Sequence, residues 1–302
     1  MMDFLERLPK VLPGPGATGY ALKAIPTPFP VQEDSRPKAD LVKLGGEPIL
    51  VEDDAWPAWA EQKRRSIAQH QAPLVAPGVC TGDLSDWAQA IGGMLAQQIA
   101  RGPITAQGCF PWIGGVTPDN PIAFFQALTV SLQEDFALMV PDHSGELTAQ
   151  VLSVCFPSGW DPREKLGRSL AQIHAPVADN EALQQATPAM TQAMVSKGPF
   201  IRYVWTLAGD NRRSRAPGQD TLSQVSSVDA LWFRCERQIT IPLAGQACLF
   251  LIRVFVARYL DVINTPARHQ RIVAALSAMT PAMLAYKNIS RAANLILESS
   301  HV

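Results

Sequence analysis

The order of segments along the chain predicts an α+β fold with an antiparallel sheet. Helical periodicity dominates after residue 50, four β-branched and aromatic segments follow with one intervening helix, and helical periodicity returns from Thr265. The last two strand-like segments are joined only by PLAGQ, which indicates a hairpin rather than a parallel crossover. The 302 residues are 47% hydrophobic and 18% charged, as is typical of a well-cored globular chain.

The N-terminal residues 1–50 are rich in proline and glycine and show no sustained period. We therefore predict an extended N-terminal segment that wraps over one domain spanning residues 51–302. Asp54 is a suitable cap for the first helix, and Trp87, Ile91, Leu95 and Ile99 recur at helical spacing in the second. Helices are predicted at residues 55–70, 84–100, 121–139 and 161–175, and again from residue 265 onward. Strands are predicted at residues 147–156, 200–207, 231–241 and 247–260.

Charge and composition exclude several classes of partner. The formal net charge of -1, from 26 basic and 27 acidic residues, gives no reason to expect nucleic acid or an anionic membrane. The N-terminus lacks the pattern of a signal peptide and no run of 18 apolar residues occurs, so a cytoplasmic protein is expected. Five cysteines without a C-x-x-C pair argue against disulfides, structural zinc and iron–sulfur clusters, and predict reduced thiols.

The stretch WDPREKLGRSLAQIHAPV places a histidine at the end of a well-specified helix. Asp161 fits an N-cap, with a proline at N1 and an acid at N3, and Pro176 ends the helix after His174. A histidine at such a position interacts favourably with the helix dipole, and it can also be a metal ligand. These residues by themselves leave both interpretations open.

The segment LWFRCERQITI alternates between an apolar and a polar face. Leu231, Phe233, Cys235, Ile239 and Ile241 share one face, with Arg237 as the exception. The opposite face carries Trp232, Arg234, Glu236, Gln238 and Thr240. This polar face is either exposed to solvent or the polar wall of a pocket.

Two arginines in the neighbouring strands are further candidates. Arg253 lies in the centre of the apolar segment ACLFLIRVFVARYL, where a buried guanidinium needs a carboxylate such as Glu236 or an anionic ligand such as a propionate or phosphate. Arg202 is out of phase with Tyr203 and Trp205, so it points to the other face of its strand.

No nucleotide or hydrolase signature occurs in the chain. The motifs G-x-G-x-x-G, Walker A, H-E-x-x-H and G-x-S-x-G are all absent, which lowers the expectation of a nicotinamide domain, a metalloprotease or an α/β-hydrolase. If the protein performs redox chemistry, its electrons come from another protein.

Four motifs together resemble the alpha subunits of heme-dependent oxidative N-demethylases, which are dimethylamine monooxygenase-like. They are QEDFALM, VCFPSGWDPREKLGRSLAQIHAPV, the R-x-x-W of Arg202 to Trp205, and FRCERQITIPLAGQACLFLIRVF. The similarity extends from about Tyr20 to Leu260, and its most specific part is the W-D-P-x-E-K-x-G block with its I-H-x-P-V ending.

The resemblance implies a PAS-like antiparallel sheet whose flanking helices enclose heme b. It implies oxidation of a small secondary amine with O2 to a primary amine and formaldehyde, with tetrahydrofolate as an acceptor of the formaldehyde. It also implies a hetero-oligomer in which a reductase subunit delivers electrons from NAD(P)H through FMN and an iron–sulfur cluster.

The resemblance also assigns roles to individual residues. His174 is expected to be the axial iron ligand, which replaces the open interpretation above. Glu236, with Trp232 on the same strand face, is expected to bind the alkylammonium substrate. The residues expected to contact the heme are Lys165, Arg202, Trp205, Arg234 and Arg253.

Two alternatives belong to other functional classes. A PAS-type heme sensor or ligand-binding module would bind heme without turnover, but no output domain is evident in the sequence. A relative that has lost heme would act as a scaffold. Formaldehyde release distinguishes the enzyme from the sensor, and a missing heme spectrum would indicate the scaffold.

Overall fold

A computed structural model of the chain describes residues 31, 41–45, 47–50, 56–77, 83–101, 120–215 and 217–299. The α+β class is confirmed, because a seven-stranded antiparallel sheet carries helices on both faces. Most of the N-terminal segment predicted to be extended lies outside the described residues. So do Cys80 and Cys109, whereas Cys155, Cys235 and Cys248 are free, buried thiols as predicted.

The sheet has the strand order β1-β5-β6-β7-β3-β4-β2, and every neighbouring pair is antiparallel. The strands are β1 Val42–Lys43, β2 Leu74–Val75, β3 Asp135–Pro141, β4 Leu147–Ser153, β5 Phe200–Ala208, β6 Trp232–Leu243 and β7 Ala247–Arg258. The predicted hairpin is β6 and β7, which pair over their whole length around a 3₁₀ turn at Ala244–Gln246. Gln246 adopts a left-handed φ of 61° there, which reverses the chain.

The helices that precede and follow the strands agree with the predictions at most positions. They are α1 Trp56–Ala68, α2 Leu84–Arg101, α3 Pro121–Ser131, α4 Pro162–Lys165, α5 Leu170–His174, α6 Glu181–Ser196, α7 Tyr259–Val262, α8 Pro266–Ser277, α9 Pro281–Tyr286 and α10 Ser290–Ser299. None of the helices in the described part of the chain is long and apolar enough to cross a membrane.

Two helix predictions were wrong. The helix predicted at residues 121–139 ends at Ser131, and the residues from Asp135 form a strand in the middle of the sheet. Residues 135 to 140 are all buried, and a short run buried on both faces has no period that separates helix from strand. The helix predicted from Asp161 is two short helices, because Gly167, at a left-handed φ of 71°, turns the chain between them. Helix α6 was not predicted.

The register of β5, β6 and β7 defines two faces of the sheet. Arg202 pairs with Gln238, and Glu236 with Val254, so these side chains share a side that we call the Glu236 face. The other side, with Arg237 and Arg253, is the Arg253 face. This division confirms the alternation predicted for residues 231–241.

Helices cover both faces with apolar contacts. On the Arg253 face the C-terminal helices α8 to α10 pack against Trp205, Phe233 and Phe255. Helices α2 and α3 cover the rest of that face around Ile239 and Leu251. On the Glu236 face α5 and α6 pack against a cluster that includes Ala137, Met139, Leu152 and Cys248. Helix α6 contacts β6 directly, so the polar residues of β6 lie on the face that α5 and α6 cover.

Candidate functional site

His174 ends the single turn of α5, and its position is fixed by local hydrogen bonds. Ser169 caps the helix through a reciprocal capping box with Gln172, which sets where α5 starts. Four residues after Leu170, the Nδ1 atom of His174 lies 2.8 Å from the Leu170 carbonyl oxygen. The side chain of Asn180 donates to the His174 carbonyl at 3.0 Å and closes the end of the helix.

The hydrogen bond to Leu170 determines the tautomer of the imidazole. A carbonyl oxygen only accepts, so Nδ1 carries the proton and Nε2 keeps its lone pair in the neutral ring. Burial lowers the pKa of His174, the Leu170 bond opposes that shift, and the charges of Arg202 and Lys165 reinforce it. The ring is therefore neutral near pH 7, with Nε2 available as a ligand atom.

Two cationic side chains lie near His174. Lys165, at the end of α4, donates from Nζ to the Ile173 carbonyl at 3.1 Å and so lies beside the last turn of α5. Arg202 is half-buried on the Glu236 face of β5, close enough for its charge to affect His174. The structure thus brings three of the predicted site residues together from three separate elements.

Glu236 has both carboxylate oxygens in hydrogen bonds. Its Oε1 accepts from the Ser158 hydroxyl, and its Oε2 accepts from Gln238 Nε2 at 2.9 Å. The guanidinium of Arg234 lies 3.8 Å from Oε1. The side chain is 14% exposed, so it is largely shielded by its neighbours but can be reached by a small ligand.

Arg234 is engaged within the protein. It donates to Ser158 Oγ at 2.8 Å, to the Phe156 carbonyl at 2.7 Å, and to the Arg213 carbonyl. Burial lowers the pKa of Arg234 to about 10, although the charge of Glu236 opposes the shift. This arginine joins β6 to the segment that follows β4 and to the loop that follows β5.

Arg253 and Trp205 lie away from Glu236, on the Arg253 face. Arg253 is fully buried with its guanidinium 4.2 Å from the centre of the Trp59 ring. The Trp205 ring stacks on Phe233, with ring centres 5.8 Å apart. Trp232 is on the Glu236 face, but Arg234 separates it from Glu236 along the strand. The structure therefore does not bring these three residues together with His174.

Four residues of this region were not among the predicted site residues: Ser158, Gln238, Tyr286 and Lys287. Lys287 follows α9 and donates from Nζ to the Trp205 carbonyl at 2.8 Å. Burial lowers the pKa of Lys287 to about 8, Glu236 opposes this, and Arg202 adds to it. Burial raises the pKa of Tyr286, and the charge of Glu236 raises it further. Neither Tyr286 nor Lys287 belongs to a recognisable sequence motif, so only tertiary packing reveals that they lie near Glu236 and Arg202.

The turn after His174 is tied to the C-terminal helices. Asp179 accepts a hydrogen bond from the Thr280 hydroxyl, which also caps α9. This bond links the turn that follows α5 to the start of α9, whose last residue directly precedes Lys287. His174 and Lys287 both lie close enough to Arg202 for its charge to lower their pKa values.

The residues present fit a heme better than a metal ion held by the protein alone. Within the described ranges, no three His, Cys, Asp or Glu side chains converge as a metal site. A heme needs only one strong protein ligand, together with cations for its propionates. The neutral His174 ring, with Arg202 and Lys165 beside it, supplies both. A cavity of about 370 Å³ lies elsewhere, lined by polar residues that include Asp210, Arg212 and Asp220.

Comparison with known families decides the class of the protein. A family model described as haem-dependent oxidative N-demethylase, alpha subunit-like, matches residues 104–297. The chain belongs to this family. The match covers most of the sheet and the His174 segment, and it confirms the resemblance drawn from the sequence motifs. Membership of this N-demethylase family implies heme dependence, oxidoreductase chemistry and a place in a multi-subunit assembly.

Proposed function

We propose that this protein binds heme b through His174 and catalyses oxidative N-demethylation of a small, dimethylamine-like secondary amine. The observation that carries the proposal is the hydrogen bond from Nδ1 of His174 to the Leu170 carbonyl, which leaves Nε2 as a neutral ligand atom. The family match supports the same chemistry. The sheet and its helices are compatible with a PAS-like pocket on the Glu236 face, within one domain spanning residues 51–302.

The heme would be held by the chain at several points. His174 would bind the iron through Nε2, and Arg202 and Lys165, whose charges act on His174, would pair with the propionates. Arg234, Arg253 and Trp205 stay predictions for heme contact, since each has a structural role of its own. When bound, heme supplies the activation of O2 that side chains do not provide.

The substrate would be bound by the carboxylate of Glu236. A dialkylamine is an ammonium ion at neutral pH, so it needs an anion in a site with little water. Glu236 is a shielded anion on the face near His174, with Trp232 further along the same strand face. Oxidation of the N-methyl carbon gives a carbinolamine, which breaks down to the primary amine and formaldehyde.

The proposal requires a partner for the electrons. We propose a hetero-oligomer with a reductase subunit that carries FMN and an iron–sulfur cluster and takes electrons from NAD(P)H. One oxygen atom of O2 is transferred to the substrate. The electrons from the reductase reduce the other oxygen atom to water. Tetrahydrofolate is the proposed acceptor of formaldehyde, and the cytoplasm, where such reductants occur, is the proposed location.

The optical spectrum of the purified protein tests the iron ligand. The His174→Ala protein is expected to lose the Soret spectrum of the wild type after reconstitution with heme, because it lacks the Nε2 atom that is proposed to bind the iron. The matched control is His143→Ala, at an exposed histidine in the β3–β4 turn, which should keep the spectrum. A His174→Ala spectrum identical to that of the wild type would place the ligand elsewhere.

Turnover distinguishes the enzyme from a PAS-type heme sensor. With a reductase and NADH, dimethylamine should give formaldehyde in proportion to the amine consumed, and omission of the amine should abolish it. Binding of a gas without any product would support the sensor instead.

A further inference from the structure

We propose that Ser158 and Gln238 are positioning residues that hold Glu236 as an oriented anion for the cationic substrate. The inference rests on the proposed function, since it assigns a purpose to the surroundings of Glu236. It adds two residues, Ser158 from a loop and Gln238 from β6, that act through Glu236.

The direction of the hydrogen bonds at Ser158 is determined by Arg234. The Nε atom of an arginine only donates, so Ser158 Oγ accepts from Arg234 Nε at 2.8 Å. The single hydroxyl hydrogen is then directed to Oε1 of Glu236. Ser158 therefore links the buried guanidinium of Arg234 to Oε1 of Glu236 and fixes the orientation of the carboxylate.

Gln238 completes the arrangement from the same strand. Two residues beyond Glu236 on one face of β6, its Nε2 atom donates to Oε2 at 2.9 Å. Each carboxylate oxygen offers two acceptor positions, so one position on each oxygen is left for a ligand. An ammonium N–H placed there meets a carboxylate whose rotation is already prevented, which lowers the entropy lost on binding.

The position of Ser158 is itself fixed by the backbone around it. The Arg215 amide donates to the Pro157 carbonyl at 2.9 Å, and the Gly159 amide donates to the Arg215 carbonyl at 3.0 Å. These bonds hold the chain on both sides of Ser158. Two residues earlier, the Phe156 amide donates to Asp135 Oδ2 at 2.8 Å. The short side chain of Ser158 thus extends from a loop that backbone hydrogen bonds hold in place.

A purely structural bridge would predict a different result. If Ser158 only joined the loop to β6, its loss would lower thermal stability and leave amine binding unchanged. A positioning role predicts weaker amine binding with little change in the rate at saturation. The test is therefore the split between KM and kcat, together with a direct binding measurement.

The experiment uses the heme-loaded protein with its reductase. Ser158→Ala and Gln238→Leu should each raise the KM for dimethylamine roughly tenfold, the effect of one charged hydrogen bond, and change kcat less than about twofold. Calorimetric titration with dimethylammonium chloride should show the same loss of affinity without turnover. Ser158→Thr, which keeps the hydroxyl, should restore most of the affinity, and Ser144→Ala, in an exposed turn, should have no effect.

Glu236→Gln separates this inference from the proposed function. A raised KM in Glu236→Gln with unchanged KM in Ser158→Ala and Gln238→Leu overturns the positioning role alone. An unchanged KM in Glu236→Gln overturns the role of the carboxylate in the proposed function, and the inference with it. Lower melting temperatures without weaker amine binding would show that Ser158 is a structural bridge only.

Discussion

At the scale of single residues, one hydrogen bond determines where the hydrogen lies on His174, and another determines where it lies on Ser158. The imidazole of His174 would exchange tautomers in water, but its bond to the Leu170 carbonyl selects one of them. The hydroxyl of Ser158 could rotate freely, but Arg234 on one side directs its hydrogen to Glu236 on the other. The Leu170 carbonyl can only accept, so His174 must donate to it. The Arg234 Nε atom can only donate, so Ser158 must accept from it.

Lys287 gives the protein a specific dependence on pH. Its pKa is about 8 in the folded chain, lowered mainly by burial from its ordinary value of 10.5. Between these values the unfolded chain binds the additional proton, so the free energy of unfolding rises with pH in this window. Below this window Lys287 is charged in both states, and the partial burial of its ammonium lowers the free energy of unfolding.

Replacement of Lys287 by methionine should remove that rise. From about pH 7.5 to 10 the wild type should gain about 1–2 kcal/mol relative to Lys287→Met, less than the full shift implies because solvent screens a half-buried charge. Urea unfolding at both pH values measures this. Lys197→Met, at an exposed lysine, is the control and should follow the wild type. The prediction would be contradicted if the free energy of unfolding changed with pH by the same amount in Lys287→Met and in the wild type.

At the scale of the elements, the unequal lengths of β3 and β7 leave an edge of β7 that is not paired with β3. Strand β7 extends beyond the start of β3, since Asp135 pairs with Ile252 and β7 continues to Arg258. Helix α1 covers this open edge with Trp59 and Lys63. Lys63 forms a fully buried ion pair with Asp135, at 3.2 Å, and Asp135 also holds the segment that carries Ser158. Asp135, at the start of β3, therefore links helix α1 to the segment that positions Ser158.

The ion pair between Lys63 and Asp135 should be essential for stability. Lys63→Met leaves the Asp135 carboxylate buried without its cation, which is expected to lower the free energy of unfolding by about 3–5 kcal/mol. Chemical denaturation of the purified variant measures the loss. Arg65→Met, two residues further in α1 but exposed, should change it by less than about 0.5 kcal/mol. Equal stability of the two variants would refute the structural role.

At the scale of the whole molecule, helices from the middle and from the C-terminal end of the described chain pack on opposite faces of one sheet. The C-terminal helices cover the Arg253 face and bring Lys287 to β5, while α5 and α6 cover the Glu236 face. The bond between Asp179 and Thr280 joins these two layers beyond the sheet. Stability of the C-terminal layer and geometry of the site are therefore coupled.

A cavity in the C-terminal layer should test that coupling. Ile296 in α10 is fully buried, so Ile296→Ala is expected to lower the free energy of unfolding by about 2–5 kcal/mol. The melting temperature of the heme-loaded protein measures this, and amine affinity should fall as α9 loosens. Leu260→Ala, at a leucine that is 44% exposed, should change neither. Unaltered amine affinity in a destabilised Ile296→Ala protein would show that the layers act independently.

Local patterns were sufficient for part of the fold and of the site. The alternation of residues 231–241 placed Glu236 and Arg234 on one face, and the structure has them there. The N-cap predicted at Asp161 marks a real helix start. Periodicity failed for the strand that begins at Asp135, because a segment buried on both faces of a sheet has no polar side to reveal its period.

The sequence by itself determined the α+β class, the hairpin of β6 and β7 and the position of His174 at the end of a helix, because these depend on neighbours a few residues apart. Only the tertiary structure decided which residues surround Glu236. Ser158 lies 78 residues from Glu236 along the chain, and Lys287 lies 82 residues from the Trp205 carbonyl that it contacts. Contacts over such separations depend on how the helices and the sheet pack together, which no local period encodes.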